Sequence, residues 1–461
     1  MLKTIIIGLA LLSACFAKDL KIAVVSDIHY NIFFNETLDP RDGYCEHEDK
    51  WDRLGSSLVE SPFGRFGCDT PAKMAELMVD KLTEIQPDTD IVLVSGDFVS
   101  HGYAVKRGSE EDHYDELKVA LHDVFVDLLG TRFPNSIILP AIGNNDIRFH
   151  YIAPRQDEEA ADYYSFLSNM LFTEVPGNSG VNRRQIDRTF KKYGYYRYDI
   201  HPTCDGETCL SIISFNSLYN SLNRPRDSEE DIAQAQLEWL YDNLETAEEG
   251  RKFIVFMHIY PGQYQVFQET YFWDDSTTEK FINIMEMHSE KIMMTLGAHT
   301  HYSDLRVNIP YKENSDEEPV AKFSMLATPS FSLSNYNNPG FTRFVVRNNT
   351  VQDLKLTFMN AHHFPQEPKN ARFNELDYKK DLGLETWTHK NVQDVIKNTL
   401  ENNWSLFMRY LGWKVGFQGL ISMYGVFIHR LLGSVGIFSS PIFFCASRHV
   451  NKVDFHKCLG K

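Results

Sequence analysis

Seven side chains that can bind metal ions follow short hydrophobic runs at five places in the chain. They lie in the segments Asp27-Ile28-His29, Gly96-Asp97, Gly143-Asn144-Asn145-Asp146, His258 and Gly297-Ala298-His299-Thr300-His301. One histidine beside one hydrophobic run would more often be a buried structural residue than a ligand. Carboxylate, amide and imidazole donors that recur in this order at five such ends instead predict a site for two divalent metal ions.

The residue types divide the work of binding two ions. Alternate residues of an extended segment point the same way, so Asp27 and His29 are expected to share one ion. Asp97 has two carboxylate oxygens and can bridge ions that lie roughly 3.5–4 Å apart. Asn144 adds a neutral amide oxygen. The remaining donors are nitrogens, from His258, His299 and His301. Nitrogen-rich ligation favours two zinc ions, with manganese or iron as alternatives.

This donor set predicts hydrolysis of a phosphate ester. Two divalent ions, two carboxylates and a bridging hydroxide leave one net positive charge, which suits a monoanionic phosphodiester better than a dianionic monoester. The bridging hydroxide would attack phosphorus in line with the leaving group. His101, four residues after Asp97, is the candidate acid for the leaving oxygen. The alternative role for His101 is to orient a metal ligand.

The hydrophobic runs that precede these residues predict buried strands, and helical patterns separate them. The predicted strands are Ile22–Ser26, Ile91–Ser95, Ile137–Ala141, Phe253–Met257 and Ile292–Leu296, and the predicted helices are Pro71–Ile85, Asp115–Leu129 and Ala233–Leu244. Such alternation is typical of an α/β layered domain. Ligands of these sheets bind at the carboxyl ends of the strands, which is where all five segments fall.

Composition excludes one class of partner. The formal net charge is −17 over 461 residues. Wrapping of nucleic acid needs clustered Lys and Arg, so that function is not expected. A small phosphate ester stays suitable, because metal ions supply local positive charge.

The first seventeen residues resemble a secretory signal peptide. Lys3 precedes the short apolar run Ile5–Leu12, and Cys15-Phe16-Ala17 ends in small residues that suit cleavage. Six cysteines follow, and their clustering predicts the local disulfides 45–68, 204–209 and 445–458. Sequons at Asn35, Asn348 and Asn403 would accept glycans in a secreted protein.

We expect a catalytic domain over residues 18–365 and a C-terminal helical subdomain over 366–461. Asn31–Asp69 and Arg148–Arg197 are long insertions in the catalytic domain, and Arg148–Arg197 is expected to be partly helical.

In the C-terminal subdomain, helices are expected over His389–Leu411 and Trp413–Arg430. Val415–Phe444 is strongly hydrophobic, but Gln418, His429-Arg430 and Pro441 interrupt it. It therefore predicts buried or membrane-surface helices rather than a membrane span.

From Ile22 to Phe344 the chain resembles the calcineurin-like metallophosphoesterases, and within them the acid sphingomyelinase-like phosphodiesterases. Besides the five metal segments, Gln236–Leu240 and Asn338–Arg343 are similar to segments of that family, with Thr342 as an insertion. The resemblance implies two packed β-sheets flanked by helices and a helical C-terminal region. It also implies an enzyme that is secreted or lysosomal.

The resemblance further assigns the ligands. Asp97 would be shared between two zinc ions, and His101 would be an acid catalyst or a phosphate contact. One zinc would also be held by Asp27, His29 and His301, and the other by Asn144, His258 and His299.

Two departures from the family affect the expected substrate. Asn145 stands where sphingomyelinase-like enzymes usually have a histidine that contacts phosphate, and Gly-Asn-Asn-Asp instead resembles secreted or vacuolar endopolyphosphatases. His150 is a candidate to replace part of the lost role. We expect no saposin-like region before the first predicted strand, which makes lipid extraction less expected.

The leading hypothesis is a secreted phosphodiesterase for small phosphodiesters or nucleoside di- and triphosphates. The sequence predicts no particular oligomeric state. Sphingomyelin, polyphosphate and phosphomonoesters are alternative substrates, and the C-terminal helices allow peripheral membrane contact. A non-catalytic secreted binding protein is the alternative of a different class. An aromatic insertion could enclose a base or a choline-like group, or could pack its own loop. Its residues are Tyr260, Tyr264, Phe267, Tyr271, Phe272 and Trp273.

Overall fold

The computed structural model describes most of the chain. The described residues are 19–37, 45, 60–101, 110–154, 157–204, 208–223, 230–265, 270–311, 319–361, 367–414 and 440–460. The predicted signal peptide lies outside them. So do residue 267 of the aromatic insertion, residues 415–430 of the predicted helix Trp413–Arg430 and most of the hydrophobic stretch Val415–Phe444.

Two six-stranded mixed sheets form the centre of the described part of the chain. The strands are β1 (Leu20–Val25), β2 (Ile91–Val94), β3 (Ile137–Pro140), β4 (Tyr196–Asp199), β5 (Leu210–Phe215), β6 (Lys252–Met257), β7 (Ile292–Gly297), β8 (Asp304–Asn308), β9 (Phe323–Ala327), β10 (Gly340–Arg347), β11 (Thr350–Met359) and β12 (Phe373–Asp377). The first sheet has the order β12-β11-β10-β1-β2-β3, and the second has the order β4-β5-β6-β7-β9-β8.

The central strands are parallel and are covered on both faces. In the first sheet β1, β2 and β3 run parallel, and in the second β5, β6, β7 and β9 do. β2 reads Ile-Val-Leu-Val, with all four residues buried. Continuous apolar sequence is expected when both faces of a strand are covered. One hydrophobic core joins the two sheets, which confirms the predicted fold and its five strands.

Helices cover the outer faces of the sheets. The α-helices are Ala72–Ile85, Glu110–His122, Asp157–Ser168, Arg183–Tyr193, Glu230–Glu245, Asp275–Met287, Tyr378–Leu382, His389–Asp394, Trp404–Lys414, Ser440–Arg448 and Lys452–Cys458. The π-helical stretches are Asp123–Gly130, Asn169–Thr173 and Val395–Glu401, and the 3₁₀ turns are Pro176–Asn178, Ser217–Asn220 and Pro368–Asn370.

The expected helix His389–Leu411 is divided into His389–Asp394, the π-helical Val395–Glu401 and Trp404–Lys414, and the expected helix Trp413–Arg430 lies outside the described residues after Lys414. The three helices expected between the strands are present, with one change of type. The first and third span nearly the predicted residues. The second begins earlier, at Glu110, and is π-helical from Asp123. Among the described residues, no helix combines the length and apolar character that crossing a bilayer would need.

The three predicted disulfides are present. They join Cys45 to Cys68, Cys204 to Cys209 and Cys445 to Cys458. They close short loops, because the partners are 23, 5 and 13 positions apart in sequence. Each therefore fixes a local loop rather than joining distant parts of the fold.

The residues after 365 attach directly to the first sheet. β12 pairs antiparallel with β11, with Leu376 opposite Leu356, and helices follow it. The last of the helices before residue 415 ends at Lys414, whose buried ammonium group pairs with the buried Asp304 of β8. The helical region is thus tied to both sheets. The division into two domains stays a prediction.

A second buried cation links β8 to the paired-histidine segment. Arg306 is fully buried and lies over the ring of Tyr260, 4.6 Å from its centroid. Its Nη2 donates to Tyr260 Oη at 3.0 Å, and Tyr260 Oη in turn donates to Thr300 Oγ1 at 3.3 Å. Thr300 lies between His299 and His301, so this network connects the paired-histidine segment to Arg306 of β8.

Replacing Arg306→Met should lower the free energy of unfolding by roughly 3 kcal/mol, since it would leave buried polar groups without their donor. Those groups are Tyr260 Oη and the Gln263 carbonyl, which accepts from Arg306 Nη1 at 2.7 Å. Urea denaturation measures the loss. Arg132→Met, at a more exposed ion pair, is the control and should change stability by less than about 1 kcal/mol. Equal small losses in both variants would contradict the prediction.

Candidate metal centre

The seven predicted ligands meet where the carboxyl ends of both sets of parallel strands converge. In the first sheet they follow β1, β2 and β3, and in the second they follow β6 and β7. Residues as distant in sequence as His29 and His301 come into contact, at 3.2 Å between their Nε2 atoms. All seven side chains lie at this junction, so the predicted convergence is observed.

Four of the seven form one group around a common point. Besides the contact between His29 and His301, His301 Nε2 lies 3.5 Å from Asp27 Oδ1. His29 Nε2 lies 3.5 Å from Asp97 Oδ2. These donors are buried. Nitrogen and oxygen donors this close together suit the coordination of one shared cation. The contact between the two imidazoles then does not require a hydrogen bond.

A second group adjoins the first through Asp97. His258 Nε2 lies 3.1 Å from Asp97 Oδ2 and 3.0 Å from Asn144 Oδ1. The ring centroid of His299 is 5.2 Å from that of His258, and Asp97, His258 and His299 offer ligand atoms within 4.8 Å of one another. The Asp97 carboxylate therefore borders both groups, as a bridging ligand would.

The charges of this cluster fit bound cations. Burial, together with repulsion from Asp97, raises the pKa of Asp27 to about 7. Burial and the neighbouring His258 lower the pKa of His299 to about 3, and burial holds the pKa of His29 and of His301 well below the usual value. Neutral imidazoles keep the lone pair that a metal requires, and cations would offset the repulsion between the carboxylates.

The pKa of His258 also shows that the cluster favours positive charge. Burial opposes its protonation, yet the Asp97 carboxylate raises the pKa of His258 to about 9. Its Nδ1 contacts the Ser95 carbonyl at 2.8 Å, which directs Nε2 toward Asp97. A proton and a metal ion would compete for this Nε2, so metal binding there releases a proton.

The candidate acid His101 lies beside the first group. Its ring stacks on that of His29, with centroids 3.8 Å apart. Asp69 accepts from the His101 backbone N–H at 2.7 Å and contacts its Nδ1 at 2.8 Å. Burial opposes protonation of His101, but the Asp69 carboxylate raises the pKa of that ring above its ordinary value. Asp69 was not recognised from the sequence, because its place after Cys68 carries no chemical signal.

Two residues of the Gly-Asn-Asn-Asp segment hold Asp97 in place. The Asp146 carboxylate accepts from the backbone N–H groups of Asp97 at 2.8 Å, Phe98 at 2.6 Å and Gly143 at 2.8 Å. Asn145 donates its backbone N–H to Asp97 Oδ1 at 2.8 Å and its amide to Asp97 Oδ2 at 2.7 Å. The sequence placed Asn145 as a substituted phosphate contact, whereas here its side chain is buried and orients Asp97.

The backbone that carries the candidate ligands is strained. φ is positive at Asp27 (44°), His29 (44°), Asp97 (52°), His299 (74°) and His301 (66°). The expectation that Asp27 and His29 lie on an extended segment is wrong, because β1 ends at Val25 and both residues are left-handed. Such conformations cost about 1–3 kcal/mol each and persist where the surrounding fold imposes them.

The aromatic insertion mostly packs rather than lines the site. Tyr260 and Trp273 are buried in the core, and Tyr271 contacts His456 of the C-terminal helix. Phe272 lies against His299, with centroids 5.6 Å apart. Of the described residues of the insertion, Phe272 is thus the one whose ring contacts a candidate ligand.

Comparison with known proteins agrees with this geometry. The model of the calcineurin-like phosphoesterase family matches residues 20–303, and the chain belongs to that family. The predicted family and the predicted enzyme class, a metal-dependent hydrolase of phosphate esters, are confirmed.

Relatives with sphingomyelinase-like names are similar over much of the chain. The sphingomyelinase phosphodiesterase D of Dictyostelium discoideum is 22% identical, over 83% of this chain and 86% of its own length. The human acid sphingomyelinase-like phosphodiesterase 3b is 23% identical, over 65% of this chain and 63% of its own length. The endopolyphosphatase of Schizosaccharomyces pombe is 26% identical, over 54% and 42%.

Gly143 should tolerate no side chain. A Cβ there would lie 2.2 Å from both the backbone nitrogen and Oδ1 of Asp97. Gly143→Ala is therefore expected to displace Asp97, to lower bound metal below one ion per chain and to destabilise the fold by about 2 kcal/mol or more. Elemental analysis and thermal unfolding measure both effects. Gly180→Ala, where a Cβ meets nothing within 4 Å, is the control, and wild-type metal content in Gly143→Ala would refute the account.

Proposed function

We propose that this protein is a two-metal phosphodiesterase that hydrolyses small phosphodiesters or nucleoside di- and triphosphates. The observation that carries the proposal is the position of Asp97, whose Oδ2 lies 3.5 Å from His29 Nε2 and 3.1 Å from His258 Nε2. A carboxylate between two nitrogen-rich groups is the arrangement that a pair of divalent ions uses.

The proposed ligand sets are those that the family resemblance implies. Asp27, His29, Asp97 and His301 would hold one zinc ion, and Asp97, Asn144, His258 and His299 the other. The bound ions would polarise the phosphoryl group and activate water as the nucleophile. The protein's contribution is to orient the donors, through Asp146 and Asn145 on Asp97, and to supply a proton.

His101 is the proposed source of that proton. Because Nδ1 is engaged with Asp69, we assign Nε2 as the nitrogen that protonates the leaving oxygen. Asp69 would stabilise the imidazolium and fix its ring, and the ring of His29, a candidate ligand, stacks on the His101 ring. This role needs substrate to lie across the His101 side of the centre.

The substrate class rests on charge and on relatives. One net positive charge at the loaded centre favours a monoanionic diester. Sphingomyelin is the first alternative, since relatives carry that name. Polyphosphate is the second, because Gly-Asn-Asn-Asp and the relative from fission yeast both point to it.

We further propose that the protein is secreted or resides in a lysosome-like compartment, with glycans on its sequons. The signal-like first seventeen residues support this, as do three disulfides. Peripheral membrane contact through the C-terminal helices is proposed only together with a lipid substrate.

The test is an assay of the mature protein with zinc against bis-(p-nitrophenyl) phosphate, ATP, sphingomyelin and polyphosphate at pH 5 and pH 7. We expect turnover of the diester or ATP that a chelator abolishes and zinc restores. Asp97→Ala should lose at least one bound metal ion and about 10³-fold or more in kcat/KM. Turnover of polyphosphate alone would reassign the substrate. A metal-loaded protein inactive on all four, with Asp97→Ala retaining ligand affinity, would indicate a binding protein.

His101→Gln tests the acid separately. Protonation matters most for a poor leaving group, so kcat should fall by about 10²–10⁴ for an alkyl ester. The fall should be much smaller for the p-nitrophenyl ester, whose leaving group needs little protonation. Asp69→Asn should give the same pattern with a smaller loss. An equal loss on both esters, together with lost metal, would show that His101 orients a ligand instead.

A further inference from the structure

A short loop after β3 reaches back over the second group of candidate ligands. Phe149 and Ile152 form an antiparallel bridge, with Ile152 N–H donating to the Phe149 carbonyl at 2.7 Å. Between them lie His150 and Tyr151, whose rings are 4.4 Å apart. The Tyr151 backbone N–H donates to the Asn144 carbonyl at 3.3 Å, which folds the turn back onto the Gly-Asn-Asn-Asp segment.

His150 holds the Asn144 amide. Asn144 Nδ2 lies 2.9 Å from His150 Nε2, and an amide nitrogen can only donate in such a contact. This fixes which end of the amide faces the centre, because Oδ1 then points to His258 Nε2 at 3.0 Å. His150 thus acts through Asn144 and does not replace the histidine missing at Asn145.

Tyr151 holds His299 in the same manner. Its hydroxyl lies 3.3 Å from His299 Nε2, and its ring meets the His299 ring edge-on. The other ligand histidines show why this matters: His258 Nδ1 is held by the Ser95 carbonyl at 2.8 Å, and His301 Nδ1 by Ser334 Oγ at 3.4 Å. A partner on one nitrogen fixes the ring and presents the other nitrogen to the metal.

Tyr151 adopts a conformation that its side chain does not favour. Its φ is +64°, in a region that bulky residues rarely enter. The turn is therefore held against a backbone preference. That position brings both aromatic side chains onto candidate ligands of one metal ion, and onto neither His29 nor His301.

We propose that His150 and Tyr151 form a clasp, a pair of positioning residues that orients Asn144 and His299 and so sets the affinity of the second metal site alone. The inference rests on the proposed two-metal function. It predicts that loosening the clasp separates the two sites: the ion held with Asp27, His29 and His301 stays, and the other is bound more weakly.

The experiment measures metal binding rather than turnover. Wild type, Tyr151→Phe, His150→Ala and His150→Gln are loaded with zinc, titrated with a chelator and analysed for metal per chain. We expect two ions in wild type, and a second ion bound about 10–100-fold more weakly in Tyr151→Phe and His150→Ala. His150→Gln should recover part of the loss, because its amide oxygen can accept from Asn144. The affinity of the first ion should stay unchanged in all of them.

Tyr311→Phe removes an exposed hydroxyl elsewhere and serves as the matched control, with wild-type affinity expected at both sites. The unfolding temperature of each metal-free variant is also measured. A value equal to that of the metal-free wild type shows that a variant is not generally destabilised. Wild-type affinity for both ions in Tyr151→Phe and His150→Ala would overturn the clasp while leaving the two-metal function intact. Equal weakening of both ions would also overturn it. A wild-type protein that binds fewer than two ions would remove the proposed function and the clasp together.

Discussion

The contacts of the buried Asp97 carboxylate require the two sheets to keep one fixed position relative to each other. Its Oδ2 approaches His29, which follows a strand of the first sheet, and His258, which follows a strand of the second. No side chain is tolerated at Gly143 because that space is taken by Asp97 itself. The hydrophobic core that joins both sheets keeps these distances fixed, since close-packed interiors resist small shifts.

Holding this centre has a local cost that the rest of the fold offsets. Five candidate ligands have positive φ, and Asp27 and Asp97 are brought together away from water. Strain and like charge at one place are typical of sites shaped for ligand binding rather than for stability. The Asp146 carboxylate, with three short backbone hydrogen bonds, shows how much polar structure is devoted to fixing one loop.

The sequence predicted what depends on local pattern. Continuous apolar runs such as Ile91–Val94 identify strands whose two faces are covered, and donors at their ends identify the centre. What it missed depends on contacts that no local pattern encodes. Asp69 reaches His101 across 32 residues, and Tyr151 reaches His299 across 148. Neither residue stands out by type or by neighbours. The left-handed backbone at Asp27 was missed because extended conformation is the default at a strand end.

The pairing of β1 with β10 has a consequence for how the protein is made. β1 lies at the start of the described chain, yet Leu20 pairs with Val346, and His29 meets His301. At roughly 5–20 residues per second of synthesis, β2 follows β1 within about 15 s, whereas β10 follows it only after about 15–65 s. During that interval the β10 edge of β1 is unpaired, and the candidate ligand His29 lacks its contact with His301. We therefore expect the catalytic centre to be among the last parts of the nascent chain to acquire structure, and its metal ions to enter only after the whole sheet has closed.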